Sequence, residues 1–324
     1  MSSLYTTILL PTRTQPDTLV AIYILKKYGQ EKFPGIETAH IEVRQTLKSD
    51  ETEESLTNAG CLLIDLGGGK FDHHNKDQKT TASNLVSDYL GVREDASLAK
   101  LLEYAERDDF YGKGTMSTDP IDKALGLSGI ITALNKSLPQ EPEKVADYIL
   151  PLLWAHHAEE LRRTEELPQE FAKALEAGLA QVFTVKQRAK NLRVVLISSS
   201  SGSLPGYLRS QQGGRHDVVA QQIPSGHVNI LTRPTKRVDL RSLAALLRLK
   251  ESGQEYVPQI SLWDYAQTGR FESVPEWYFD PATNSLLNGG LNPKEVSPTK
   301  ISLSDMRQIL EDGLSERIWS PQKR

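Results

Sequence analysis

The chain contains a single cysteine, Cys61, among 324 residues. That excludes an internal disulfide and any zinc cluster built on thiolates, and it fits a reducing compartment. Opening an apolar run, Cys61 reads as buried and inert. No apolar stretch approaches the roughly 20 residues needed to span a bilayer. The opening residues, Met1-Ser2-Ser3-Leu4-Tyr5, lack the basic stretch and apolar core of a secretory signal. The expectation is a cytoplasmic protein without a membrane partner. Internal repeats and low-complexity tracts are also missing. With 38% hydrophobic and 25% charged residues, a disordered chain is excluded, and the length leaves room for two domains.

Net charge is small, at −4, but charge is unevenly placed. Between Lys186 and Lys250 stand twelve lysines and arginines, opposed only by Asp217 and Asp239. A basic block inside an acidic chain suggests either an anionic partner such as phosphate or nucleic acid, or simply a solvated face.

Periodicity places the elements. Thr6 to Leu10 reads as a buried strand, and a helix starts at Pro16-Asp17, where proline and an acid are both favoured. Ile36 to Val43 and 61–66 read as further strands. Thr81 to Leu90 and Leu98 to Ala105 read as helices. Residues 119–187 are almost wholly helical in pattern, interrupted by Pro139, Pro142, Pro151 and Pro168. A new α/β pattern begins at Leu192, with strands at Val194–Ile197, Val218–Ala220 and Val228–Leu231 and a helix at Leu240–Leu249. Pro258 to Pro281 is aromatic and irregular, Asn284 to Gly290 suits a hairpin, and Ser302 to Leu314 closes as a helix. The expected fold is α/β in two lobes. The first has a mainly parallel sheet with helices on both faces, then comes a helical connector, then a smaller C-terminal α/β lobe. The expected boundaries are 1–125, 126–190 and 191–324.

The densest chemistry lies in Leu62-Leu63-Ile64-Asp65-Leu66-Gly67-Gly68-Gly69-Lys70-Phe71-Asp72-His73-His74. A buried strand ending in a carboxylate is followed by glycines that allow a sharp turn, then by a second acid and two imidazoles. In open α/β sheets the carboxyl edge of the strands is where ligands bind. Carboxylate oxygen with imidazole nitrogen is the donor mix of Mn, Zn or Fe sites. The competing reading is a capped turn carrying solvated histidines. Another pair of histidines, His156 and His157, stands beside Glu159 and Glu160 in a helical stretch. With no second such helix to complete a site, these read as exposed helix residues.

These blocks resemble the DHH phosphoesterase superfamily, which includes RecJ-like exonucleases, cyclic-dinucleotide phosphodiesterases and inorganic pyrophosphatases. The resemblance covers about residues 5–112. Asp65 fits the family's second block, Asp72-His73-His74 its third, and Asp109 (or Asp108) its fourth. The first block fits only at Pro16 and Asp17, because Arg13 stands where a His is expected and Leu19 where an Asp is expected. The resemblance implies Asp17, Asp65, His73 and Asp109 as metal ligands, and His74, Asp72 and Arg13 as catalytic residues. Arg13 would be either a phosphate clamp or a structural arginine beside carboxylates. With two ligands replaced, the set implies one divalent ion, of Mn2+ type, rather than two. In the rear lobe, a weaker likeness to the DHH-associated domain implies substrate contacts from Arg233, Asn288, Gly289 and Gly290.

The function so implied is a metal-dependent phosphodiesterase or exonuclease-like hydrolase. Its partner would be a phosphate-containing substrate, a short single-stranded nucleic acid or a nucleotide. The alternatives are a degenerate relative that binds without cleaving, and a pyrophosphatase-type hydrolase of small phosphates.

Overall fold

A computed structural model describes residues 4–74, 79–253, 262–289 and 295–315. The fold is mixed α/β, and the chain divides into two compact units, Met1–Arg162 and Arg163–Arg324.

The first unit is built on a three-stranded, all-parallel sheet. Its strands are β1 (Thr7–Pro11), β2 (His40–Arg44) and β3 (Cys61–Leu63), in the order β2-β1-β3. The linking helices are α1 (Pro16–Tyr28) and α2 (Glu53–Asn58). After the sheet come α3 (Ala82–Leu90), α4 (Ala99–Tyr111), α5 (Pro120–Leu125), α6 (Leu127–Ser137) and α7 (Lys144–Leu161). Side chains alternate across β1, as a pleated strand requires. Ile8 and Leu10 enter the large core formed with α1, α3, α4, α6 and α7, while Leu9 faces the opposite way into a smaller cluster with Leu56, Leu63 and Leu66. Both faces of the sheet are therefore covered. Helix α1 is buried along almost its whole length, and Leu19 is one of its fully buried residues.

The second unit begins with α8 (Leu167–Glu176) and contains a seven-stranded mixed sheet. Its strands are β4 (Ala180–Gln187), β5 (Lys190–Ser198), β6 (Val218–Gln222), β7 (Val228–Thr232), β8 (Gly269–Phe271), β9 (Val274–Asp280) and β10 (Ser285–Asn288). Their spatial order is β4-β5-β6-β7-β10-β9-β8, and among these pairs only β5 and β6 run parallel. Its helices also include α9 (Leu204–Arg209), α10 (Arg241–Ser252), α11 (Leu262–Tyr265) and α12 (Leu303–Leu314). Val194 and Leu196 pack beneath α10 and α12, whereas Val195 and Ile197 pack with α8 and α9 on the other face.

Three expectations change. Residues 126–190 are not a separate connector: α6 and α7 pack into the first core, α8 belongs to the second unit, and 180–187 is β4. Strand β4 alternates buried Phe183, Val185 and Gln187 with exposed neighbours, a period of two inside what looked helical. The C-terminal unit is not the smaller one, since Met1–Arg162 and Arg163–Arg324 are equally long. The aromatic stretch expected to be irregular supplies β8 and β9, with Trp277 and Phe279 facing the core. No described helix is long and apolar enough to cross a membrane.

Candidate metal centre

The loop after β3 folds back on itself. Asp65 has φ +57°, a left-handed conformation that aspartate tolerates better than most residues, and its N–H donates to the Phe71 carbonyl at 3.1 Å. Gly67 and Gly68 also have positive φ, and a Cβ on Gly67 would meet Leu47 at 2.5 Å. Only glycine fits there. The Lys70 N–H donates to Glu53 Oε1 at 2.7 Å and anchors the loop to α2. Asp72 closes the loop's second half, accepting the N–H of Gly68 at 2.8 Å and of His74 at 3.0 Å. Burial would raise the Asp72 carboxyl, but these amides and the His74 ring outweigh it and hold it below its ordinary value.

This return path brings both imidazoles onto Asp65. Asp65 Oδ1 lies 3.0 Å from His73 Nδ1 and 3.3 Å from His74 Nδ1. Donor atoms of Asp65, His73 and His74 all fall within 4.8 Å of one another. The closest pair is not a hydrogen bond, because the ring N–H is not aimed at the oxygen. Asp65 Oδ1 and His73 Nδ1 are both buried without a hydrogen-bond partner among the described residues. Buried polar atoms ordinarily find partners. Two donors about 2.1 Å from one cation, at right angles, stand roughly 3.0 Å apart. The spacing thus suits two ligands of a common ion, and the donor set fits a divalent cation of Mn, Zn or Fe type.

Neighbouring groups orient the donors. Asp65 Oδ2 accepts from Thr18 Oγ1 at 3.3 Å. Asp109, at the end of α4, places Oδ2 3.5 Å from His73 Nε2, on the far side of the ring from Asp65. Asp109 and Asp65 push the His73 imidazole up to about 10. Asp108 is engaged elsewhere, accepting the Gly114 N–H at 2.9 Å, so Asp109 is the acid that meets the site. His74 is held by Asp72 Oδ1 at 2.9 Å from its Nδ1, with 62% of its side chain exposed, and it stacks on His73 at 4.5 Å.

Asp17 adjoins the group, its Oδ2 3.8 Å from His73 Nδ1. Its oxygens, however, accept the N–H groups of Ala82 and Ser83 at 2.8 Å each and so cap α3. Burial pushes its carboxyl above the usual carboxylate range, a shift partly offset by Ser83. Leu19 points into the core and not toward the centre. Arg13 is exposed in the loop between β1 and α1, at the same sheet edge as the Asp65 loop. Among the described residues no ion pair to Arg13 is found. Cys61 is only partly buried.

The expected contacts in the second unit are largely committed to the fold. The Arg233 guanidinium pairs with Asp217 Oδ1, at 2.6 Å from Nη2 and 3.2 Å from Nε. Asn288 is fully buried and donates to the carbonyls of Glu276 and Ser297, while its own oxygen accepts the Thr299 N–H at 2.9 Å. A substrate cannot reach it. Gly289 is buried with φ +87°, as the exit from β10 requires. Gly290 lies outside the described residues.

His156 is exposed as expected, but His157 is buried, with Tyr23 Oη at 2.7 Å and Ser97 Oγ at 2.8 Å from its ring nitrogens. The face of α7 that enters the core could have signalled this, since Val145, Ile149 and Leu153 lead to position 157 in steps of four residues.

No family model and no curated protein matches the chain. A solved structure, that of an uncharacterized protein from Helicobacter pylori G27, is similar over 96% of this chain and 99% of that one, at 12% identity and a TM-score of 0.23. At that score the likeness says nothing about fold or function.

Proposed function

We propose that the chain is a divalent-metal-dependent phosphoesterase, in the manner of the DHH superfamily its motifs resemble, acting on short nucleic acid or nucleotides. The observation that carries this reading is the close pair of buried ligand atoms, Asp65 Oδ1 and His73 Nδ1, 3.0 Å apart and without a hydrogen-bond partner among the described residues. Asp65 and His73 would hold the cation, with His74 completing the set. Mn2+ is the ion of choice. A bound divalent ion lowers the pKa of an attacking water and stabilises charge on phosphoryl oxygens.

The remaining residues position and bind. Asp109 fixes the His73 ring from its other nitrogen, the arrangement in which a carboxylate strengthens a histidine ligand. Asp72 orients His74, whose exposed ring is placed to contact substrate phosphate. Arg13, exposed and at the same sheet edge, would offer a guanidinium fork for a phosphate oxygen.

A second reading is a degenerate relative that binds nucleotide or nucleic acid without cleaving it. It is favoured by Leu19 in the core and by the engagement of Asp17 with α3, which together leave few ligands for a second ion.

Hydrolysis of bis(4-nitrophenyl) phosphate, a dinucleotide and pyrophosphate, each with Mn2+ and with excess chelator, separates the readings. Chelator-sensitive turnover that disappears in Asp65→Asn supports the enzyme. Metal uptake without turnover on any of the three supports the binder.

A further inference from the structure

Four strands of the second sheet come together at one end. The β4–β5 hairpin turns between Gln187 and Lys190, Val194 of β5 is in register with Val218 of β6, and Val218 with Thr232 of β7. The residues just beyond that end are overwhelmingly cationic. Lys190 Nζ donates to the Lys236 carbonyl at 2.9 Å, and Arg193 Nη1 to the Gly214 carbonyl at 2.5 Å, so the surrounding turns are stitched into one surface. Arg233 and Lys236 both reach Asp217, at 2.6 and 3.7 Å. That carboxylate is buried, with 3% of its side chain exposed. Asp217 lies beneath these cations, and the second carboxylate at this end, Asp239, is partly exposed and pairs with Arg188 at 3.5 Å and Arg241 at 2.5 Å, so the cations still outnumber the anions at the surface.

An independent feature marks the same end. Five non-glycine residues among those described have positive φ, and three of them are arginines here: Arg188 (52°), Arg215 (53°) and Arg237 (48°). Asparagine or glycine would occupy such turns with less strain. All three are exposed, so core packing does not account for them. Strained positions concentrate where function requires a particular side chain, and the property these three share is a guanidinium held outward.

The geometry points to this end of the second sheet as a binding surface for the phosphate backbone of a nucleic-acid strand, recognised without regard to base. Guanidinium forks match phosphate oxygens, and an array of them suits a chain with regularly repeated charge. The unit's exposed large apolar side chains, Leu175, Leu179, Val182 and Tyr278, do not belong to these turns. Among the described residues, these turns offer neither a stacking platform for bases nor an apolar wedge for a lipid bilayer. This deepens the phosphoester reading by naming a polymeric substrate class, yet binding here needs neither metal nor turnover.

The test uses the full chain in excess chelator, with a fluorescein-labelled oligothymidylate read by anisotropy. With about four phosphates engaged, affinity falls about 50-fold between about 50 and about 200 mM salt. Replacing Arg188, Arg215 and Arg237 together by Asn weakens binding at least about tenfold while the thermal midpoint holds or rises, because Asn relieves the turns. Lys190→Ala, at a residue without a positive φ, weakens it in the same direction, and the exposed unit-one control Lys123→Ala leaves it unchanged. The proposal is overturned if the wild type fails to bind at the lower salt, if the triple variant binds like the wild type, or if phosphatidylserine-rich vesicles bind and the oligonucleotide does not. Since metal is excluded, failure here leaves the hydrolase reading to its own assay.

Discussion

The carboxylate of Asp17 accepts the backbone N–H of Ser83 at 2.8 Å, joining the first turn of α1 to the first turn of α3 across 66 residues of sequence. With the matching bond from Ala82, this leaves Asp17 chiefly a helix cap that stands beside the metal centre. Asp17→Ala is expected to cost about 2–3 kcal/mol of stability, because two buried amides lose a charged acceptor. Mn2+ affinity should change only a few-fold. Urea denaturation and metal titration of the same variant check this; lost metal affinity at unchanged stability would reverse the assignment.

Asp109 works through His73. Asp109→Asn keeps the shape but removes the charge 3.5 Å from Nε2, and an orienting carboxylate of this kind is worth about 10–100-fold in metal affinity or activity. The variant should fold normally and bind Mn2+ more weakly by that factor. Asp108→Asn, whose carboxylate serves Gly114, should not. Equal affinity in both variants would remove Asp109 from the centre.

Stability should depend on pH from both sides. Burial pushes His157 and His216 below the ordinary histidine value of 6.5. The unfolded chain then takes up their protons first, so their contribution is complete above 6.5 and is lost as pH falls below it. His73 acts oppositely in the metal-free chain. Raised to about 10, its contribution is complete below 6.5 and is lost as pH rises through about 10. The thermal midpoint should therefore be highest near neutrality, and His157→Gln should flatten the acid limb. A midpoint that climbs steadily on acidification below 6.5 would contradict this.

In the second unit, Arg248 is a buried strut. Its guanidinium donates to the carbonyls of Tyr265 and Gln267 at 2.7 Å, Gly269 at 2.6 Å and Trp277 at 3.1 Å. Burial lowers it to about 10, still charged at neutral pH. Arg248→Met would strand these carbonyls and should cost more than about 3 kcal/mol. Lysine cannot fan out to four acceptors, so Arg248→Lys should rescue little. A loss below about 1 kcal/mol by urea denaturation would show that the loop finds other partners.

Local pattern carried much of this information. Asp65 and the Asp72-His73-His74 run could be placed because glycines follow a short buried strand, and that signal is complete within a dozen residues. Arg13 and Leu19 were visible as departures for the same reason. What stayed hidden depends on distant contacts. Nothing near Asp17 announces the amides of Ala82 and Ser83, and nothing near Asn288 announces Ser297 and Thr299. Counting charge could not tell the inward Arg248 or the paired Arg233 from the exposed Arg188 and Arg237, because a sum of charges has no direction. Strand β4 was missed because its Gln- and Lys-bearing sequence follows a helix closely, with Gly178, at φ +70°, as the one local mark of the helix end.

The most direct measurement is calorimetric titration of Mn2+ into the metal-stripped full chain at neutral pH, beside Asp65→Asn and His73→Ala. Uptake of about one equivalent by the wild type, lost in both variants while their circular dichroism stays native, is the expected result. A wild-type chain that takes up no divalent ion, or an Asp65→Asn variant that binds as tightly as the wild type, would contradict the account.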